Sequence, residues 1–183
     1  EKIVKRYNKN KLVLFGEVIP FNSIINNVTG INWSSIKKGK ERIEFKTPFA
    51  SWINMICSEV FYPLRDRKID NINFIVNQSN EAWFDSGLQR QMWSAAIFRA
   101  VENRRTVIKT GNYSYSGVIL PSGKTLIKKS ISNTDSIISK IPNCDKKTFF
   151  NSYYHLFGHL SVFILFLLLI LSYFINYKKV KIY

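Results

Sequence analysis

The sequence predicts an α/β domain followed by one membrane-spanning helix. Three observations lead there. Over residues 1–150, short apolar runs bounded by turn residues share the chain with one long stretch of helical periodicity. Leu156–Ile175 is a run of twenty residues without Asp, Glu, Lys or Arg, about the length that crosses a hydrocarbon core. Tyr153, Tyr154, Tyr173 and Tyr177 flank that run, and Lys178, Lys179 and Lys181 follow it. Aromatic belts and a basic end are the usual borders of a span, with the positive side cytoplasmic. The expected organisation is a domain over 1–150, the span with its belt over 151–177 and a basic tail over 178–183. The chain opens on Glu1 and is expected to be the C-terminal part of a longer protein.

The elements follow in order. Ile3-Val4 and Leu12–Phe15 flank a basic, asparagine-containing step. Residues 22–41 are polar and punctuated by glycine, which predicts a long loop. Ile43–Phe45 and Trp52–Ile56 predict short strands, and INFIVNQS from Ile72 a central one. Ser86–Arg105 has helical periodicity, with Leu88, Met92, Ala95, Ala96 and Arg99 near one face and Ser86 as candidate cap. TVIKTG from Thr106, YSYSGVIL from Tyr113 and TLIKKS from Thr125 predict further strands, the last two joined by a turn at Pro121–Lys124.

The formal charge of +15 admits nucleic acid, an anionic membrane surface or simple compositional drift. The basic residues are spread rather than clustered, and with a membrane span this disfavours nucleic acid. Two cysteines, Cys57 and Cys144, make no disulfide framework, and with only His155 and His159 a zinc site is not expected. No cofactor is expected.

Three stretches are candidates for chemistry. In WINMICSEVFYP, Cys57 ends an apolar run and precedes a turn. A helix starting at Ser58 would aim N–H donors at the thiol, lowering its pKa and stabilising an oxyanion. The alternative is a small buried hydrophobe, the role of most free cysteines. In YNKNKLVLFGEVIPF, Lys9 and Lys11 share a face if extended, and Glu17 follows a glycine in a turn. The lysines either stabilise a thiolate or are solvated. In SNEAWFDSG, Trp83-Phe84 follows the central strand. There it lines a pocket, contacts membrane or packs the loop onto the core.

Taken in order, YNKNKLVLFGEVIPF (from Tyr7), ICSEVFYP (from Ile56), SNEAWF (from Ser79), FRAVENRR (from Phe98) and GNYSYSGVILPSGK (from Gly111), then a terminal apolar helix, resemble the C-terminal part of the bacterial apolipoprotein N-acyltransferases. The resemblance implies a nitrilase-like α-β-β-α sandwich followed by one transmembrane helix. It places that domain in the periplasm at the bacterial inner membrane, with the C-terminus cytoplasmic. It implies transfer of a fatty acyl chain from a phospholipid donor, through a cysteine thioester, to the N-terminal amino group of a diacylglyceryl-cysteine apolipoprotein. Cys57 matches the nucleophile, Lys9 the catalytic lysine, Glu17 the glutamate of the FGE element and Glu59 the acid after the nucleophile. Ser58 would contribute its N–H to the oxyanion, and Trp83 matches a tryptophan near the lipid entrance.

The chain departs from the family pattern at several places. Ser58 replaces a tyrosine, Leu14 a proline, Glu81 an aspartate, Met92 a histidine and Ser114 a glycine. The superfamily's general-base glutamate lies upstream of the lysine, so this chain alone is expected to be inactive. A membrane-anchored nitrilase-like amidase and a degenerate non-catalytic homologue are the competing readings.

Overall fold

The computed structural model describes residues 5–30, 35–64, 71–131 and 136–180. The chain divides into two compact units between Lys147 and Thr148.

The first unit is built on one six-stranded mixed sheet, in the spatial order β1 to β6. The strands are β1 (Glu44–Lys46), β2 (Ser51–Ile56), β3 (Phe74–Asn80), β4 (Thr106–Asn112), β5 (Ser114–Ile119) and β6 (Thr125–Ile131). β2, β3 and β4 are parallel; β1 at one end, and β5 and β6 at the other, run antiparallel to their neighbours. The carboxyl ends of the three parallel strands therefore share one edge of the sheet. Helix α2 (Ser86–Asn103) is the crossover from β3 to β4, the connection that a parallel pair needs. The sheet and α2 supply one β layer and one α layer of the expected sandwich.

Period-two burial builds the core. Ser51, Ile53 and Met55 of β2 are buried and alternate with half-buried Trp52, Asn54 and Ile56. Ile53, Met55, Ile75, Val107 and Ile119 pack with Met92, Trp93, Ala96 and Ala100 of α2 in one cluster. On the other sheet face, Phe45, Trp52 and Phe74 stack across three strands, with ring centroids 5.5 and 5.6 Å apart. These same residues are register partners, so the aromatic ladder helps to pin strand pairing. Arg105, buried at the end of α2, donates from Nε to Ile72 O and from Nη1 to Lys146 O. It thus secures both the approach to β3 and the end of the unit.

The structure corrects the expectation for residues 22–41. Asn22–Thr29 forms a helix, α1. Its asparagines suggested a loop, yet Gly30 adopts φ 67° and donates its N–H to Asn26 O, the left-handed ending that glycine gives a helix. Ile24, Ile25 and Val28 share one helical face, but none of the helix's residues is buried. The cap of α2 is also corrected: Asp85, not Ser86, accepts the hydrogen bond from Leu88 N at 3.0 Å. Strand limits shift by one or two residues, and Ile3-Val4 and the last three residues of the tail lie outside the described residues.

The second unit contains α3 (Phe149–Val180), with a break from helical geometry at Tyr153. Leu156–Phe174 spans 19 residues with mean hydropathy 2.3 and exposed side chains. At about 1.5 Å per residue this is roughly 28 Å, long and apolar enough to cross a membrane.

Gly117 of β5 lies against the β6 backbone: a Cβ there would lie 2.0 Å from Ile127 O. Gly117→Ala is expected to lower stability by roughly 3 kcal/mol or more, because backbone rather than a flexible side chain must yield. The midpoint of chemical denaturation in detergent measures it.

Candidate active site

Cys57 stands where β2 ends at the shared carboxyl edge. The residue adopts φ 51°, a left-handed conformation that costs a non-glycine residue about 1–2 kcal/mol. It makes a sharp strand-to-helix turn and opens a five-residue 3₁₀ turn, Cys57–Phe61, rather than a helix starting at Ser58. Such a turn lifts a nucleophile clear of the sheet, as in the elbow of α/β hydrolases. Asn77 of β3, fully buried, donates from Nδ2 to Cys57 O and Met55 O, both at 3.3 Å. Cys57 is a free, half-buried cysteine.

Glu59 joins this turn to the N-terminal segment. Its side chain is fully buried. Oε1 accepts from Asn10 N at 2.7 Å, Lys11 N at 3.1 Å and Tyr7 Oη at 2.8 Å. Oε2 accepts from Ile56 N at 2.7 Å and Tyr7 Oη at 2.9 Å. One carboxylate therefore binds both sides of Lys9 and the residue just before Cys57. Burial pushes the Tyr7 phenol well above its ordinary value of 10.0; Arg42 opposes the shift and Glu59 adds to it.

Lys9 in turn is held by Glu17, with Nζ 2.8 and 2.7 Å from the two carboxylate oxygens. Lys9 is 9% exposed and Glu17 26%. A tight turn brings Glu17 back: Val13 O accepts from Glu17 N, and Glu17 Oε2 accepts from Val13 N, both at 2.8 Å. From the polar segment beyond α1, Gly39 N donates to Lys9 O at 2.8 Å, and Ile36 N to Glu17 O at the same distance. A Cβ on Gly39 would lie 2.3 Å from Asn8 O, so only glycine lets that segment close over the lysine.

Four of the residues singled out in the sequence, Lys9, Glu17, Cys57 and Glu59, thus belong to one connected assembly. Ser58 lies within it; its Oγ is buried and has no hydrogen-bond partner among the described residues. Trp83 is different: it is 82% exposed on the loop after β3, at the same sheet edge but tied to separate groups. Sequence reasoning missed Tyr7, Asn77 and the buried trio Glu81, Lys109 and Ser114, in which Lys109 Nζ and Ser114 Oγ both donate to the Glu81 carboxylate. A lysine inside the apolar run TVIKTG was the available signal, because a buried strand position does not hold an ammonium without a partner.

No protein-family model matches the chain. The chain is 33% identical over 131 residues to the apolipoprotein N-acyltransferase of Nostoc sp., covering 68% of this chain and 26% of that protein. It is 28% identical over 196 residues to apolipoprotein N-acyltransferase 2 of Treponema denticola, covering 98% of this chain and 36% of that one. The chain belongs to the apolipoprotein N-acyltransferase family. It spans about a quarter to a third of the length of these two N-acyltransferases. Among solved structures it is similar to a glutamine-dependent NAD+ synthetase from Acinetobacter baumannii. The TM-score is 0.51 at 11% identity, over 73% of this chain and 25% of that one. That likeness concerns the fold alone. A CN-hydrolase superfamily protein from Xanthomonas campestris gives a TM-score of 0.46 at 14% identity, over 52% and 42% of the two chains.

Two predictions follow from the Glu59 assembly. Glu59→Gln turns a two-oxygen acceptor into an amide whose NH₂ faces donors, so it is expected to cost about 3 kcal/mol. Its Cys57 alkylation rate, measured beside its denaturation midpoint, should change as the turn loosens. Tyr7→Phe is expected to cost about 1.5 kcal/mol at neutral pH. Because the folded phenol has the raised pKa, the unfolded chain ionises first, and stability falls as pH rises above 10.0. Denaturation midpoints against pH should show that alkaline slope in the parent protein and a smaller one in Tyr7→Phe.

Proposed function

We propose that this chain supplies the nucleophile and the oxyanion-stabilising lysine of an apolipoprotein N-acyltransferase. One observation supports the reading above the others: the Glu59 carboxylate clamps the Lys9 segment to the turn that bears Cys57. A thiol on a strained turn, tied through one carboxylate to the segment of a held ammonium, suits acyl transfer through a thioester.

In the first step the Cys57 thiolate attacks the ester carbonyl of a phospholipid. Lys9 and the Ser58 N–H stabilise the oxyanion; the carbon–oxygen bond breaks, and the lysophospholipid alkoxide leaves with a proton. In the second step the free amino group of a diacylglyceryl-cysteine apolipoprotein attacks the thioester. The carbon–nitrogen bond forms, the carbon–sulfur bond breaks, and the amine's proton passes to the base. We assign that base, and the acceptor of the thiol proton, to a glutamate upstream of Lys9 in the longer protein, as the family resemblance implies. Glu17 keeps Lys9 in place, Glu59 positions both partners, and Trp83 offers an apolar contact to the donor.

The apolar stretch of α3 suits a span that holds the domain at the bilayer where its donor resides. Lys178, Lys179 and Lys181 after it favour a cytoplasmic C-terminus. The domain would then be periplasmic at the inner membrane.

The full-length protein, incubated with labelled phospholipid, is expected to carry an acyl adduct that mass spectrometry locates on Cys57. Cys57→Ala should abolish both the adduct and N-acylation of a lipoprotein peptide while leaving membrane insertion intact. Lys9→Ala should slow adduct formation by about 10²–10³. Free fatty acid without N-acylated peptide would instead identify a hydrolase.

A further inference from the structure

Glu81 and Lys109 are both fully buried, and neither belongs to the Glu59 assembly. Lys109 lies mid-strand in β4, opposite Asn77 of β3 and Gly117 of β5. Its Nζ and Ser114 Oγ take the two oxygens of Glu81. Gly111 leaves room for them: a Cβ there would be 3.3 Å from Ser114 Cβ and 3.5 Å from both Glu81 Oε1 and Lys109 Nζ.

The main chain of Glu81 is fastened as well. Its N–H donates to Asn112 Oδ1 at 3.1 Å, and its carbonyl accepts from Phe84 N at 3.1 Å. Gln89 of α2 donates to Phe84 O at 3.4 Å and to Tyr113 O at 2.9 Å. Two residues beyond this anchor stands Trp83, 82% exposed, with Tyr113 65% exposed on the turn from β4 to β5. A large aromatic left out of the core beside so much fastening is being presented rather than packed.

A buried ion pair is by itself weak evidence of a stabilising role. Replacing a buried pair with apolar side chains of similar volume is often neutral or stabilising. An ion pair differs in demanding one geometry, since each charge must meet its partner. We propose that Glu81, Lys109 and Ser114 form a positioning cluster that sets where the Trp83 loop stands, and through it the capture of the acyl donor. The second part rests on the acyl-transfer reading of Cys57.

The test uses the full-length protein and the apolar pair Glu81→Leu/Lys109→Met, beside Trp83→Ala. Hydrogen exchange at residues 81–85 is expected to quicken by about tenfold or more in the pair, with residues 51–61 unchanged and the thermal midpoint within about 4 °C of the parent. KM for a phospholipid donor should rise about tenfold with kcat changed less than about twofold. Iodoacetamide alkylation of Cys57 should keep its rate. Trp83→Ala should show the same KM shift, and the triple variant no more than either.

Unchanged exchange at 81–85 would overturn the cluster as a positioning device. So would a midpoint that collapses in the apolar pair, which would make the cluster a fold-stabilising element. Faster exchange with unchanged KM would overturn its link to donor capture. Should the parent form no acyl adduct at all, the reading of Cys57 falls, while the exchange measurement still decides whether the cluster holds the loop.

Discussion

The site depends on one buried carboxylate. Among the described residues, Glu59 takes its hydrogen bonds from three main-chain N–H groups and a phenol. That choice of donors has a structural consequence. A salt bridge fixes the tip of a flexible side chain, whereas hydrogen bonds from successive amides fix the path of the chain itself. Asn10 and Lys11 cannot turn their N–H groups to Glu59 without setting the direction in which Lys9 leaves the backbone. Ile56, bonded to the same carboxylate, fixes the entry to the Cys57 turn. Hydrogen bonds to a charged acceptor are worth about 1.5–3 kcal/mol each, enough to offset the left-handed conformation that Cys57 must hold.

Sheet topology then decides what can gather around that hub. Parallel strands β2, β3 and β4 deliver their following loops to one edge, the place where open α/β sheets put ligands. Cys57 follows β2, the Trp83 loop follows β3, and the Tyr113 turn follows β4. The antiparallel strands on either side extend the sheet without adding a loop between these three. A lysine contributed by the N-terminal segment reaches the edge only because Glu59 and Gly39 hold that segment there.

Much of this was legible in the sequence, and the rest was hidden for identifiable reasons. Period-two runs located β2 to β6, since a half-buried sheet face imposes its alternation on the residues. Leu88, Met92, Ala96 and Arg99 marked the inner face of α2 for the same reason at helical period. Helix α1 escaped because its asparagines and the nearby glycines read as a loop, although Ile24, Ile25 and Val28 share a helical face and Gly30 ends it. Cys57, Lys9 and Glu17 were visible as residue types with chemistry. Glu59 was visible as an acid near a cysteine, but its function as a backbone clamp depends on donors 45 or more residues away in the chain, which no local pattern records. Asn77 and Lys109 lay in strand interiors, where a polar residue reads as an interruption until its partner is known.

The two buried acids divide the work between them in a way their partners explain. Glu59, satisfied by amides and a phenol, ties the main chain beside Lys9 to the residue before Cys57. Glu81, satisfied by an ammonium and a hydroxyl, ties β4 and β5 to the root of an exposed loop. The Cys57 turn and the Trp83 loop therefore rest on separate polar assemblies at the same sheet edge. Asn77 lies between them, bonded to the Cys57 carbonyl and opposite Lys109 in the strand register. In the second assembly the Ser114 hydroxyl donates to the Glu81 carboxylate. Glu81 and Ser114 are 33 residues apart in the chain, so this one bond ties the loop after β3 to the start of β5.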